Sequence, residues 1–312
     1  MSVPAQLPTV DERLDMLDGL IYADGFDCAA TLDELCRYSR TVVGPHELEA
    51  VLQERTLRAV VAERDGMYCL SERPGLLAER RARIARARRL RARARRVARL
   101  LRHVPFVRGL LLTGSVAADN ARAGADVDIL VIVARERLGL VFLVLGSASR
   151  LVGRRMFCPN YYLCEGHLEV GPRTLYVARE VAQATGLVGD AAVLRQANAW
   201  VGEVLPAASN GQQPGGMRAR VTRLQRILER PLRGALGGRL EQGARRLAQA
   251  RLQAHYAAVD ERVPAEASAA LAAGTALRFH RGGRDERALE RHAATRARLS
   301  QQLERLDARS GA

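Results

Sequence analysis

The residues best suited to chemistry lie in Leu110–Val133, whose sequence is LLLTGSVAADNARAGADVDILVIV. An apolar run ends at Gly114 and Ser115, ten residues intervene, and Asp126-Val127-Asp128 opens a second apolar run. Glycine allows a backbone to approach a phosphate closely. A serine hydroxyl can donate to the same anion, and a helix that begins there would aim free N–H groups at it. The pattern therefore favours a phosphate-binding turn between two strands.

The two aspartates are predicted to form a metal site beside this turn. Asp126 and Asp128 are two apart, so on a strand both carboxylates project from one face, whereas Val127 points into the core. Adjacent carboxylates repel each other, and a divalent cation removes that cost. Mg²⁺ prefers oxygen ligands and retains water or phosphate oxygens, so it is the expected ion.

This combination of motifs resembles the signature of the polymerase-beta-like nucleotidyltransferase superfamily, and its small bacterial nucleotidyltransferase domains are the most similar. The resemblance covers roughly residues 105–163. It implies Mg²⁺-dependent transfer of a nucleoside monophosphate from an NTP to an unidentified acceptor, with release of pyrophosphate. By the same resemblance, Gly114 and Ser115 would hold the triphosphate. Asp126 and Asp128 would be the catalytic residues and would bind two Mg²⁺ ions.

The chain departs from the superfamily pattern at the third acid. Relatives usually add a third carboxylate from a later strand, but the matching strand here, FCPNYYL, contains none. Asn160 stands at the expected position, and Glu165 follows just past the strand. An asparagine can bind a metal through its amide oxygen but cannot act as a base. Either Glu165 reaches the metal as a ligand, or activity is weak or lost. Val116 also stands where many small relatives carry an arginine.

The order of elements predicts an α/β (α+β) protein with a small mixed-sheet core. Short connections between the strands favour antiparallel or mixed pairing, with helices packed on one side of the sheet. The predicted parts are a winged-helix-like domain at 1–75, an arginine-rich connecting helix at 76–104, a nucleotidyltransferase core at 105–206 and a helical C-terminal region at 217–312. A stretch rich in Ser, Asn, Gly, Gln and Pro at 207–216 predicts a linker.

The first eighty residues predict three helices and then a hairpin, which is the order typical of a winged helix-turn-helix. Thr31-Leu32-Asp33-Glu34 has the pattern of a capping box, which predicts a helix from Thr31 to Tyr38. Apolar segments at 57–62 and 67–70 flank Arg64-Asp65-Gly66, and Asp-Gly between such segments predicts a hairpin. The whole chain resembles a bacterial family in which such an N-terminus precedes the nucleotidyltransferase domain.

The charge of the chain suggests an anionic partner. The formal net charge is +15, and every one of the 49 basic residues is arginine. The arginines of the connecting helix could bind nucleic acid phosphates or simply face solvent. A second hypothesis follows: a nucleotidyltransferase-fold protein with a weakened metal site, acting as a nucleic-acid-binding or regulatory module.

The five cysteines have no metal-site spacing and predict reduced thiols. The N-terminal residues lack the pattern of a signal peptide, and the longest apolar stretch, 138–153, is too short to span a membrane. We therefore expect a cytoplasmic protein without a membrane partner.

Overall fold

The protein is described by a computed structural model covering residues 8–153, 155–209, 220–258, 260–279 and 283–310. Over these residues the chain is a mixed α/β protein with a three-stranded and a five-stranded sheet, which confirms the predicted α/β class. Of the linker predicted at 207–216, residues 210–216 lie outside the described ranges.

Short helices and the smaller sheet form the N-terminal unit. Its elements are α1 Val10–Met16, α2 Asp18–Gly25, β1 Ala30–Thr31, α3 Leu32–Tyr38, α4 Pro45–Leu52, α5 Arg55–Val60, β2 Val61–Arg64 and β3 Met67–Leu70. The Thr31 hydroxyl accepts from Glu34 N at 3.3 Å and the Glu34 carboxylate accepts from Thr31 N at 2.9 Å, so the predicted capping box is confirmed. Asp65 and Gly66 have φ of 57° and 71°, and their turn joins β2 to β3 antiparallel.

The first strand of the hairpin begins later than the sequence predicts. The apolar segment 57–62 belongs largely to α5, and β2 starts only at Val61. Leu57 and Val60 are three residues apart and both buried. That spacing places them on one face of a helix, where they pack into the core of the N-terminal unit.

A long helix leads from this unit into the central sheet. The elements in chain order are α6 Gly75–Leu101, β4 Val107–Leu112, α7 Gly114–Ala117, β5 Asp128–Val133, α8 Leu138–Val152, β6 Cys158–Cys164, α9 Leu175–Gln183, β7 Thr185–Val188, α10 Ala192–Ala197 and α11 Val201–Val204. Among the described strands the sheet order is β7-β4-β5-β6, with one further strand beyond β6. The β5–β6 pair is parallel, whereas β4 is antiparallel to both of its neighbours.

Helices cover both faces of this sheet, so the prediction of helices on one side is wrong. Along β5, Ile129 and Val131 pack into a core shared with α8, whereas Leu130 and Ile132 pack into a core shared with α9. Burial on both faces explains why β5 is an uninterrupted apolar run.

The region predicted as C-terminal and helical packs against both the central sheet and the N-terminal unit. Its elements are α12 Arg223–Glu229, α13 Ala235–Ala257, α14 Ala265–Ala273, β8 Ala276–Arg278 and α15 Arg284–Ser310. β8 pairs antiparallel with β6 and completes the central sheet. Two buried glutamates fix this region to the core: Glu229 accepts from Phe106 N at 2.8 Å, and Glu241 accepts from Gly139 N at 2.8 Å. A buried carboxylate that satisfies backbone N–H groups is a specific anchor.

Helix α15 returns to the N-terminal unit. Leu299 and Leu303 are buried in the core of that unit, and Arg13 forms an ion pair with Asp307. The buried Asp18 carboxylate accepts from Arg40 Nε at 2.8 Å and lies 2.9 Å from His292 Nε2. The N-terminal unit therefore shares its core with the far end of the described chain.

Two further features of the fold are the state of its cysteines and the length and apolarity of its helices. Each of the five cysteines is a free thiol, and four of them are buried. In the described ranges, the helices fall short of the length and apolarity that a membrane span requires.

Candidate functional site

The turn at Gly114 meets the start of β5 at one edge of the central sheet. Thr113 N donates to Asp128 O at 3.0 Å, which extends the β4–β5 pairing up to the turn. Gly114 has φ of +66°, and a Cβ placed there would lie 2.6 Å from Asp128 Oδ2. Only glycine adopts this conformation readily and leaves room for the carboxylate. The predicted turn and Asp128 are thus adjacent. Ser115 follows on α7, and its hydroxyl has no partner among the described residues.

Asn160 joins this group from β6. Its Nδ2 donates to Asp128 Oδ1 at 2.7 Å, because β6 runs parallel to β5 and both strands begin at the same edge. With the amide nitrogen used in this way, Asn160 Oδ1 is buried and unpaired among the described residues. A carbonyl oxygen left without a donor is a suitable ligand for a hard cation.

The structure places the other two predicted ligands differently. Asp126 precedes β5, which begins at Asp128, and it is absent from the described lining of the cavity that contains Asp128. Val127 between them is fully buried, as predicted. Glu165 lies past the far end of β6, at the sheet edge opposite to Asp128, and its carboxylate accepts from Arg135 N at 3.4 Å. The alternative in which Glu165 reaches the metal is therefore wrong, because β5 and β6 are parallel.

Glu180 is the acid that the sequence did not reveal. It lies on α9, and its Oε2 accepts from Gly114 N at 3.2 Å while Oε1 accepts from Gln183 Nε2 at 2.8 Å. Burial raises the pKa of the Glu180 carboxyl. The only signal in the sequence was an acid in the amphipathic segment LYVAREVAQ, which a surface helix position explains equally well.

Arginines of α6 hold the loop between Gly114 and Asp128. Arg83 donates to Asn120 Oδ1 at 2.9 Å, Arg86 donates to Ala121 O at 2.6 Å, and Arg91 donates to Asp119 Oδ1 at 2.6 Å. These guanidinium groups are therefore structural ligands of the loop. Others on the same helix are exposed to solvent, among them Arg88 and Arg89. Binding of nucleic acid by these exposed arginines stays a prediction.

The group opens into a cavity of about 880 Å³ between the N-terminal unit and the central sheet. Its lining includes Gly114, Ser115, Asp128, Asn160 and Glu180. Of the described lining residues, nine are arginines and six are acids. Small-molecule sites commonly enclose about 300–1,000 Å³, so this cavity can hold a ligand of nucleotide size. The excess of arginine favours an anionic ligand.

The chemistry available at this edge is the binding of an anion together with a hard cation. Asp128 and Asn160 offer oxygen ligands. Within the described ranges, however, no cluster of three or more His, Cys, Asp or Glu side chains is arranged to hold a metal ion. Any metal would therefore need oxygens from the asparagine or from the ligand itself.

Comparison of the chain with protein-family models, with curated proteins and with solved structures finds no match.

Proposed function

We propose that this chain is a Mg²⁺-dependent nucleotidyltransferase that moves a nucleoside monophosphate from an NTP to an acceptor. The observation that carries the proposal is the contact between the Gly114 turn and Asp128 on the wall of the arginine-lined cavity. A turn with room for a phosphate, a carboxylate beside it and a cavity of nucleotide size are the features that the reaction requires. The acceptor remains open.

The residues that fit the metal are those with oxygen ligands at the sheet edge. Asp128 and the unpaired Oδ1 of Asn160 would bind Mg²⁺. Asp126, two residues before Asp128, remains a proposed ligand. Once bound, Mg²⁺ would neutralise charge on the transferring phosphoryl group. Gly114 and Ser115 would hold the triphosphate, and the hydroxyl of Ser115 is free to donate to it.

Glu180 is proposed to supply the third carboxylate, which the FCPNYYL strand lacks. It lines the cavity and touches the turn through Gly114 N. Burial raises the pKa of its carboxyl, which moves the group towards the range where a general base is efficient. We therefore assign to Glu180 the removal of the proton from the acceptor hydroxyl.

The N-terminal unit is proposed to be a winged-helix-like module that walls the cavity. Its order of helices followed by a β2–β3 hairpin is the one expected for such a module. Tyr22 and Tyr38 of this unit line the cavity beside the catalytic group. A supporting role for the module explains its position without requiring it to bind DNA.

Calorimetric binding of the four NTPs, with and without Mg²⁺, tests the proposal. Asp128→Asn and Asp126→Asn/Asp128→Asn are the test variants, and Asp11→Asn, at an exposed position on α1, is the matched control for loss of one carboxylate. We expect Mg²⁺-dependent binding in the wild type and in the control, and its loss in the test variants. Absence of nucleotide binding in the wild type under both conditions would refute the proposal.

A second function is favoured by the exposed arginines of α6. Arg88, Arg89, Arg93 and Arg96 are exposed, and a row of such groups could neutralise nucleic acid phosphates. A nucleic-acid-binding or regulatory module would bind duplex DNA or RNA with an affinity that falls steeply with salt. That affinity would not change in Asp126→Asn/Asp128→Asn, whereas Mg²⁺–NTP binding would be absent.

A cytoplasmic location remains a proposal. The five free cysteines support it, since thiols stay reduced most readily in that compartment.

A further inference from the structure

Arg179 of α9 is a buried cation on the wall of the cavity. The residue is 4% exposed, and its Cζ lies 4.3 Å from the ring centroid of Tyr22 and 4.1 Å from that of Tyr38. The two aromatic rings stack on the guanidinium, which leaves only its edges for hydrogen bonding. Arg179 lines the same cavity as Asp128.

One edge of this guanidinium is unused. Nε and Nη2 of Arg179 are buried and have no hydrogen-bond partner among the described residues. These two atoms form the lateral pair of donors that matches the two oxygens of a carboxylate or a phosphate. Leaving both donors unsatisfied in a buried place costs free energy, so the arrangement favours a ligand that accepts from them.

The neighbouring acids do not satisfy this cation. Asp18 and Glu34 act on Arg179 through their charges, but neither carboxylate accepts a hydrogen bond from Nε or Nη2, and Asp18 Oδ2 is itself buried without a partner among the described residues. Asp18 accepts from Arg40, and Glu34 accepts from Arg80 and from the start of α3. Burial lowers the pKa of the Arg179 guanidinium, whereas the charges of Asp18 and Glu34 act in the opposite direction. An oxyanion entering from the cavity would supply both missing acceptors and a further negative charge.

Arg179 also stands next to the proposed catalytic group. Glu180, its neighbour on α9, accepts from Gly114 N, so α9 lies within hydrogen-bonding distance of the turn. Arg179, Gly114 and Asp128 line one cavity. A small molecule held by Arg179 would therefore lie in the same cavity as a nucleotide held at Gly114 and Asp128.

We propose that Arg179, held between Tyr22 and Tyr38, binds the carboxylate or phosphate group of a small acceptor. The assignment of this anion to the acceptor rests on the proposed function, whereas the anion site itself does not. Nucleotidyl transfer would then act on a hydroxyl of an anionic small molecule. The arginine selects and positions the acceptor and takes no part in bond making.

Titration calorimetry with inorganic phosphate and with acetate tests the site, using the full chain. Arg179→Lys keeps the charge but loses the lateral donor pair, so we expect about tenfold to hundredfold weaker binding. Arg291→Gln is the control, because this exposed arginine lines the same cavity and its loss removes a full charge. We expect the control to bind within about threefold of the wild type, as for a peripheral charge in salt. The tighter of the two probes identifies the charged group of the acceptor.

A second measurement tests the site in the wild type, so it does not depend on the folding of a variant. A crystal structure of the wild type with the tighter probe should place an oxyanion against Nε and Nη2 of Arg179. No binding of either probe, or weaker binding in Arg291→Gln than in Arg179→Lys, would overturn the site. Binding of the anion without any Mg²⁺–NTP binding would leave the site in place and refute its assignment to an acceptor. Binding of Mg²⁺–NTP without binding of phosphate or acetate would support the proposed nucleotide site and refute the anion site at Arg179.

Discussion

Replacing Gly114 with alanine tests the contact on which the candidate site depends. The residue has φ of +66°, and a Cβ would lie 2.6 Å from Asp128 Oδ2 and 3.3 Å from Asp128 Cβ. Two penalties follow. An L-residue in the left-handed region costs about 1–2 kcal/mol, and forcing an extra carbon into a packed contact costs about 1–3 kcal/mol. We therefore expect Gly114→Ala to lower the free energy of unfolding by about 2–5 kcal/mol.

Two other glycines separate these contributions. Gly66 has φ of +71° and nothing within 4 Å of a Cβ, so Gly66→Ala should show the backbone penalty alone, about 1–2 kcal/mol. Gly243 lies inside α13, also with open space around it, so Gly243→Ala should stabilise the protein by about 0.5–1 kcal/mol. The excess loss in Gly114→Ala over Gly66→Ala measures the contact with Asp128.

Urea unfolding followed by tryptophan fluorescence is the assay. The chain has a single tryptophan, Trp200, which is buried in the core shared with α9, so its emission reports on the central sheet. Asp128→Ala in the background of Gly114→Ala should restore part of the lost stability, because it removes the nearest atom. Equal losses in Gly114→Ala and Gly66→Ala would refute the close approach of the turn to Asp128.

Three further predictions concern other parts of the fold and use the same unfolding assay. Leu303→Ala should cost about 2–5 kcal/mol, because Leu303 is fully buried in the N-terminal core, whereas Leu100→Ala, at a position 75% exposed, should stay within about 0.5 kcal/mol of the wild type; equal effects would contradict the role of α15. Although burial acts in the opposite direction, the hydrogen bond to His292 and the nearby arginines lower the pKa of Asp18. The stability that ionised Asp18 contributes should therefore be complete above the unfolded pKa of about 3.9 and lost as pH falls through the lower folded pKa. Asp18→Asn should accordingly flatten the loss of stability between about pH 5 and pH 2, and an unchanged acid profile would rule this out. Burial raises the pKa of Glu180, so the wild type should lose stability as pH rises through the interval above the unfolded pKa of about 4.3, and Glu180→Gln should abolish that loss; an identical slope in both proteins would count against it.

Local sequence predicted the parts of the site that are local. The Gly114 turn and Asp128 are joined by one loop and lie on neighbouring strands, so an apolar run, a turn and a second apolar run were sufficient to expect their contact. Asn160 was predicted as a ligand only from the family resemblance, and the structure shows that its Nδ2 donates to Asp128. The capping box at Thr31 and the turn at Gly66 were predictable for the same reason, because their hydrogen bonds connect residues at most three positions apart.

The errors arise where the sequence does not specify how strands and helices pair. Glu165 was a plausible ligand only while the direction of β6 was open, and parallel pairing places it at the other edge. Glu180 reaches Gly114 from 66 positions away through the packing of α9, which no local pattern encodes. Strands β7 and β8 have four and three residues, and strands this short carry little alternation of polar and apolar residues.

The packing of α15 also bears on the order in which the protein folds during synthesis. Arg13 and Asp307 form their ion pair across 294 positions of sequence, and Leu299 and Leu303 supply part of the core around α1 and α2. The ribosome therefore releases the first residues of the N-terminal unit long before the helix that completes their core. At about 5–20 residues per second, that delay is roughly 15–60 s. The core of the N-terminal unit is thus complete only after α15 has been translated.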